Sequence, residues 1–165
     1  MKPRITQARL MEVLVYEPDT GNFFWRVNRG KVRAGTRAAT SAGDGYLSTA
    51  IDYTDYRHHI LAWIYVYGEY PEQQIDHVDG NRSNNAIRNL RLASQSENNQ
   101  NQRRPRGTNR HGMLGVHFRK DTKKWSAHIG VNGVQHSLGC FSTPEAASAA
   151  YIQAKKKYHP YQTIA

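Results

Sequence analysis

The sequence is short of cysteine and of long apolar runs, and each shortage excludes a class of protein. Cys140 is the one cysteine among 165 residues, which excludes an internal disulfide framework and a cysteine-rich zinc site. No apolar run approaches the roughly 18 residues that a membrane-spanning helix needs, and residues 1–4 lack the apolar stretch of a secretory signal. With 38% hydrophobic residues and a formal net charge of +10, we expect a basic cytoplasmic protein with two small cores and no membrane partner.

Acidic residues are scarce in the second part of the chain. Residues 1–100 hold 12 Lys/Arg and 11 Asp/Glu, whereas residues 101–165 hold 11 Lys/Arg and only two acids, Asp121 and Glu145. Because Lys and Arg release counterions from nucleic acid, this distribution predicts that polyanion binding is concentrated in the C-terminal part. A solvated basic surface is the alternative, but the basic residues are interleaved with turn glycines and aromatics rather than packed in one run.

Helix and strand signals alternate in the first 70 residues. Leu10, Val13 and Leu14 recur at helical spacing, which predicts an amphipathic first helix. This helix is predicted to start after Thr6 and to end before Pro18, and a strand over 23–27 and a loop over 28–45 follow it. Next come a strand over 46–53 that Thr54-Asp55 turns back, and a helix over 59–67 that Gly68 ends.

Asparagine is concentrated between residues 81 and 101, where seven occur. The local pattern predicts a strand over 75–77, a turn-rich loop, a strand over 90–93, and a helix from Gln95 that the Ser94-to-Glu97 capping box opens. Asp76 on the first strand and Asn98 near the helix start supply hard oxygen ligands of the kind Mg²⁺ prefers, and His77 could take a proton from water. Ordinary turn and cap chemistry explains the same residues equally well at this point.

The segment from Ile75 to Leu92, Ile-Asp-His-Val-Asp-Gly-Asn-Arg-Ser-Asn-Asn-Ala-Ile-Arg-Asn-Leu-Arg-Leu, resembles the core of phage-type HNH homing endonucleases. Tyr56 to Trp63 resembles the usual lead-in of that family, and the likeness extends over roughly residues 45–102. The resemblance implies a ββα-metal fold that hydrolyses a phosphodiester and leaves 5′-phosphate and 3′-hydroxyl ends. The residues it implies are His77 as general base, Asp76 and Asn98 as cation ligands, Asn89 as the residue that holds the loop, and His59 in a supporting role at the catalytic site.

No histidine stands where Asn98 does, and nitrogen and sulfur ligands are scarce in this sequence. We therefore expect Mg²⁺, with Mn²⁺ as a possible substitute, and no zinc. His58 is expected to be exposed and incidental.

The composition of residues 100–111 predicts a basic linker, because the segment contains four arginines and no acidic residue. Those four could lie along a DNA groove and become ordered on DNA, or they could belong to a flexible solvated tether. We favour phosphate contact, which makes DNA-binding candidates of Arg103, Arg104, Arg106 and Arg110.

Three short strands over about 114–119, 124–131 and 134–139 follow, with a hairpin signal at Asn132-Gly133 and a helix start at Thr143-Pro144. Leu114 to Phe118, Trp125 to Ile129 and Thr143 to Ala147 resemble the AP2 DNA-binding domain. That family places a three-stranded sheet in the major groove, and strand alternation predicts the outward side chains. Arg119 is the base-reading candidate and Lys124 a phosphate contact, and the DNA-facing set is His117, Arg119, Lys124, His128 and Gln135. Cys140 is expected to be buried.

These observations predict an α+β protein in three parts. Residues 1–99 form an HNH ββα-metal nuclease domain with an N-terminal extension, residues 100–111 a basic linker, and residues 112–165 an AP2-like sheet packed on one helix. The predicted activity is cleavage of double-stranded DNA by a monomer or weak dimer in a bacterial host, encoded by a phage or mobile element. One alternative is a DNA-binding regulator with an inactive HNH module. Another is an RNA-binding protein, against which the polar, basic outward face argues.

Overall fold

Two units of the chain bury separate sets of apolar side chains in this computed structural model, Met1–Ala93 and Ser94–Ala165. The structure describes residues 4–41, 43–102, 109 and 111–161. Both units combine helices with antiparallel strands, so the predicted α+β class is confirmed. The predicted division into a nuclease part, a linker and a DNA-reading part stays a prediction.

The described residues of the N-terminal unit form three small antiparallel sheets and two helices. The pairs β1–β2 and β6–β7 form two hairpins, and β3, β4 and β5 form a three-stranded sheet. Their bounds are α1 Gln7–Val13, β1 Leu14–Glu17, β2 Asn22–Trp25, β3 Thr40–Ser41, β4 Leu47–Ile51, β5 Thr54–Arg57, α2 His58–Tyr67, β6 Gln74–His77 and β7 Leu90–Ala93, with a 3-10 turn at Ile87–Asn89.

The first helix is shorter than the apolar spacing predicts. The helix starts after Thr6 as predicted, and the Thr6 hydroxyl caps it by accepting the Arg9 amide, but the helix ends at Val13. The next four residues form β1, whose side chains alternate between buried and exposed along its pairing with β2. Leu14 therefore continues the apolar surface from a strand, because period-2 alternation with an aromatic partner strand prevails over helical spacing here.

The turn between β4 and β5 lies two residues earlier than the sequence predicts. Asp52 and Tyr53 form it, both with positive φ, at 48° and 61°. Arg9 fixes the turn with two hydrogen bonds to the Asp52 carboxylate, at 2.9 and 3.0 Å. Thr54 and Asp55, the predicted turn, instead belong to β5 and pair with Ile51 and Ala50.

Glycine at position 53 is expected to stabilise the protein. The left-handed conformation costs a residue with a Cβ about 1 kcal/mol, and the Tyr53 side chain is fully exposed, so its loss removes no packing. We expect Tyr53→Gly to raise the free energy of unfolding in urea by about that amount, whereas Tyr53→Ala keeps the Cβ and gains nothing. Equal effects of the two substitutions would refute this account of the turn.

The core of the N-terminal unit forms where α2 packs against the strands. Leu61, Ala62 and Ile64 of α2 are buried together with Leu10 and Phe23. Gly68 ends α2 in the left-handed conformation, as predicted.

The prediction that His58 is exposed is wrong. Its ring is buried against Phe23, and its Nε2 lies 2.8 Å from the Thr49 hydroxyl. That hydroxyl donates its own proton to the Ala38 carbonyl, so His58 Nε2 donates to it. Burial lowers the pKa of His58 to about 4, which keeps the imidazole neutral.

The C-terminal unit is a three-stranded antiparallel sheet with a helix against one face. Its order is β8, β9, β10 with β9 in the centre, and Ala147 of the helix is buried with Val116 and Ala127 of the sheet. The elements are α3 Gln95–Gln100, β8 Val116–Arg119, β9 Lys124–Val131, β10 Val134–Phe141 and α4 Pro144–Tyr158. Thr143 caps α4, and Ser94 with Glu97 forms the predicted capping box of α3.

Cys140 is exposed, so the prediction that it is buried is wrong. The register of β10 against β9 shifts between Ser137 and Gly139, where one extra residue bulges. Past the bulge the alternation changes phase, and Cys140 pairs with Ser126 on the outer face. The hairpin that precedes it is as predicted, with positive φ at both Asn132 and Gly133.

Within the described ranges, no helix combines the length and apolar character that crossing a bilayer requires.

Candidate active site

The β6–β7 hairpin presents the predicted catalytic residues at the end that adjoins its connecting loop. Asp76 pairs with Arg91 and His77 with Leu90, and both Asp76 and His77 are buried. Two backbone hydrogen bonds hold the start of the loop between the strands. The Gly80 amide donates to the His77 carbonyl at 2.8 Å, and the Val78 amide donates to the Asn89 carbonyl at 2.9 Å.

The Asn89 side chain makes three hydrogen bonds within this loop, two with Asp79 and one with Asn84. Its Oδ1 accepts the Asp79 amide at 3.0 Å, and its Nδ2 donates to Asp79 Oδ1 at 2.9 Å and to the Asn84 carbonyl at 2.8 Å. Burial raises the pKa of Asp79, but hydrogen bonds from Asn84, the Asn81 amide and Asn89 outweigh it and give a net lowering. These contacts are those that a loop-holding residue needs, while its catalytic relevance stays a proposal.

A hydrogen bond that Asn85 accepts sets the proton position on His77. The Asn85 amide nitrogen donates to the Ser83 carbonyl at 3.1 Å, so its Oδ1 is the atom that lies 3.2 Å from His77 Nε2. Nε2 therefore carries the proton, and Nδ1 holds the lone pair. Burial lowers the pKa of His77, and the Asn85 hydrogen bond opposes this only in part, so the imidazole is neutral at pH 7.

Aromatic rings enclose His77. The His59 ring meets it nearly at right angles, with ring centroids 5.4 Å apart, and the Tyr46 ring lies 5.8 Å away. Burial first, and the neighbouring His77 and Arg57 next, lower the pKa of His59 to about 3. His59 is thus a neutral, buried packing partner of His77.

Two arginines stack on Tyr46 beside this pair of histidines. The guanidinium carbons of Arg57 and Arg82 lie 4.3 and 4.8 Å from the Tyr46 ring centroid. Asp44 holds both, because its carboxylate accepts Arg57 at 2.9 Å and its carbonyl accepts Arg82 at 2.8 Å. The site therefore has positive charge close to a neutral histidine, an arrangement that suits a phosphate.

The two predicted cation ligands lie on different elements. The Asp76 carboxylate accepts two hydrogen bonds from Arg91, both at Oδ2, at 3.0 and 2.8 Å. Asn98 lies on α3, in the C-terminal unit, near the helix start as predicted. In the part of the chain that the structure describes, no three His, Cys, Asp or Glu residues group as a metal site would require.

The β1–β2 hairpin braces the loop that carries Asn85. The Tyr16 hydroxyl donates to the Asn85 carbonyl at 2.7 Å, and the Ile87 amide donates to the Pro18 carbonyl at 3.0 Å. Gly21 in the turn lies so close that a Cβ there would be 2.2 Å from the Asn85 carbonyl carbon. The residues before position 25 therefore help to fix the partner of His77.

The predicted DNA-facing residues of the C-terminal sheet are largely exposed. His117, Arg119, Lys124 and Gln135 are exposed and His128 is half-buried. Arg119 forms an ion pair with Asp121 at 2.6 Å, so reading a base would require it to leave that partner. The linker candidates Arg103, Arg104, Arg106 and Arg110 lie outside the described residues.

Comparison with known proteins identifies the domain around His77. A family model described as HNH endonuclease matches residues 56–100. Protein 3.8 of Escherichia phage T7 is 37% identical over 83 residues, which cover 50% of this chain and 68% of that protein. The chain belongs to the family of Protein 3.8 and contains an HNH endonuclease domain. No solved structure matches it.

The HNH domain and the phage relationship are thus confirmed, and the matched residues include His59, Asp76, His77, Asn89 and Asn98. The family model ends before the C-terminal sheet, whose likeness to the AP2 domain stays a prediction.

Four contributors to the site are absent from the sequence predictions. Asn85 is one asparagine in a run of turn residues, Tyr46 meets His77 only through a tertiary contact, and Arg57 and Arg82 join the site by stacking on Tyr46. The density of asparagines between 81 and 101 is the one signal that points to Asn85, and it does not separate that residue from its neighbours.

Proposed function

We propose that the chain is a metal-dependent endonuclease of the homing type that hydrolyses a phosphodiester bond in double-stranded DNA. The products would carry 5′-phosphate and 3′-hydroxyl ends. The observation that carries the proposal is the placement of His77: a buried imidazole in an HNH domain, oriented by Asn85 and packed against Tyr46, on which two arginines stack.

His77 acts as the general base in this proposal. Its Nδ1 accepts the proton of the attacking water, and its Nε2 keeps its proton on Asn85. Asn89 is a positioning residue, since its bonds to Asp79 and to the Asn84 carbonyl keep the loop closed beneath His77. His59 keeps the His77 ring from turning and excludes water from its side.

The donor chemistry of the site fits a hard cation. Asp76 and Asn98 would hold Mg²⁺, or Mn²⁺ in its place, through oxygen atoms, with phosphate oxygens of the substrate completing the set. When bound, the cation supplies stabilisation of negative charge on the phosphate and on the leaving 3′ oxygen.

We further propose that the C-terminal unit recognises the DNA site in the manner of an AP2 domain. Its three-stranded sheet has α4 on one face and a polar opposite face on which His117, Arg119, Lys124 and Gln135 are exposed, which supports this role. His117, Arg119, Lys124, His128 and Gln135 would face the major groove, with Arg119 as the base-reading residue. The linker arginines would contact phosphates.

The deciding experiment is a cleavage assay of the full chain on phage or plasmid DNA under three conditions: with Mg²⁺, with Mn²⁺, and with EDTA. We expect discrete products with either metal and none with EDTA, and products that DNA ligase rejoins because their ends are 5′-phosphate and 3′-hydroxyl. Zinc alone is expected to give no cleavage.

Tight binding to DNA with every strand intact under Mg²⁺ and Mn²⁺ would overturn the nuclease proposal and favour a DNA-binding regulator. Cleavage that persists in EDTA would keep the enzyme and exclude the cation that Asp76 and Asn98 are proposed to hold.

A further inference from the structure

The N-terminal unit carries an exposed basic loop between β2 and β3. We define the basic loop as residues 26–37, all of which are exposed. Residues 20–43 contain five basic residues and no acidic one, although residues 1–100 as a whole are close to neutral. The five basic residues all belong to the basic loop: Arg26, Arg29, Lys31, Arg33 and Arg37.

The basic loop is ordered by its own backbone despite its exposure. Arg29 and Val32 exchange two backbone hydrogen bonds, at 2.8 and 3.0 Å, across a tight turn. Below the turn, the Trp25 amide donates to the Thr36 carbonyl at 2.9 Å, and the Ala34 amide donates to the Asn28 side chain at 2.9 Å. The chain thus maintains a fixed shape at a place where no side chain is buried.

Four of the five cations have no counter-charge among the residues that the structure describes. Among the described residues, Arg26, Lys31, Arg33 and Arg37 form no ion pair. Arg29 differs, since its guanidinium donates to the Ala50 carbonyl and stacks over Trp25 at 4.9 Å, which ties the loop to β4. A preshaped surface with unpaired cations is costly in self-repulsion unless a polyanion binds it.

We propose that the basic loop is a second DNA-binding surface, which grips the phosphate backbone of duplex DNA from within the nuclease unit. This rests on the proposed endonuclease function for its choice of polyanion. Apart from its arginines and lysine the loop carries small, amide and valine side chains and no aromatic ring, which suits phosphate contact rather than base stacking.

The location fits a contact close to the cut. The same β1–β2 hairpin that touches Asn85 at its Gly21 turn continues from β2 into the basic loop. Four residues of strand span about 13 Å, the rise of about four base pairs of B-DNA. The basic loop would therefore hold the duplex a few base pairs from the bond at His77, on a surface that does not depend on the C-terminal unit.

The test compares two variants of the full chain that lose the same charge. Lys31→Gln/Arg33→Gln alters the basic loop, and Lys156→Gln/Lys157→Gln removes two exposed lysines from the last turn of α4. Binding to a fluorescent DNA duplex is titrated in EDTA over a range of salt concentrations. Because no metal is present, the outcome does not depend on cleavage, and thermal unfolding confirms that both variants fold.

We expect the basic-loop variant to lower the slope of log affinity against log salt by about 2 and to weaken binding about 30-fold at 0.15 M salt. The α4 variant should change the slope by much less. Equal changes in both variants would mean that only net charge matters and would overturn the proposal. It would equally fail if the basic-loop variant kept the salt slope and the DNA affinity of the unaltered chain, because the loop would then make no phosphate contact.

Discussion

Replacing His77 by alanine is expected to reduce metal-dependent DNA cleavage by about 10³-fold, since a positioned general base contributes a factor of that order. The substitution removes Nδ1, the one atom that the Asn85 hydrogen bond leaves to accept a proton. Single-turnover cleavage of a plasmid, with protein in excess, measures the chemical step without product release.

Two controls make this result specific. His136→Ala removes an exposed imidazole from the C-terminal sheet and should leave cleavage unchanged. DNA binding by His77→Ala should match the unaltered chain, because the buried His77 ring offers little surface to DNA. Unchanged cleavage by His77→Ala would keep the nuclease but reject His77 as its base.

Gly21→Ala is expected to destabilise the protein by about 3 kcal/mol and to impair cleavage as well. Its φ of +74° disfavours any Cβ, and the new methyl group would lie 2.2 Å from both the Ala86 nitrogen and the Asn85 carbonyl carbon. Backbone atoms cannot rotate away, so either the turn or the loop must move. Movement of the loop displaces Asn85 from His77.

The matched control is Gly35→Ala. Gly35 has a similar φ of +82°, but a Cβ there would meet nothing within 4 Å. Urea unfolding should therefore show a loss of about 1 kcal/mol for Gly35→Ala, the backbone cost alone. If Gly21→Ala lowers the free energy of unfolding no more than Gly35→Ala does, the β1–β2 hairpin does not pack closely against the Asn85 loop.

The parts of the fold that the sequence predicts are those set by local chemistry. The Ser94–Glu97 capping box, the Asn132-Gly133 turn and the Thr143 cap each need only neighbouring residues, and each occurs as predicted. The prediction that Leu14 belongs to the first helix is wrong for the opposite reason, because its strand exists only through pairing with β2. The prediction that Cys140 is buried is wrong because a one-residue bulge in β10 reverses the alternation of its side chains, which is otherwise as predicted.

The site divides in the same way. Asp76 and His77 follow from a short motif, whereas the contact of Tyr16 with Asn85 spans 69 residues and leaves no local trace in the sequence. The burial of His58 likewise depends on a hydrogen bond to Thr49 of β4, a partner strand that the helical pattern around His58 does not reveal. The local sequence therefore predicts which groups belong to the candidate site, and long-range packing determines how they are oriented.

The buried cluster of the N-terminal unit sets a lower limit on the size of an autonomous nuclease. Of the fourteen buried apolar residues described in that cluster, nine precede residue 56, where the HNH match begins. A peptide of residues 56–100 would expose Leu61 and Ile64 to water and would lose Tyr16 and Gly21 from behind Asn85. The recognisable motif is thus an inseparable portion of a larger folding unit. A transfer of residues 56–100 into a related protein would therefore require the preceding 55 residues to be transferred as well.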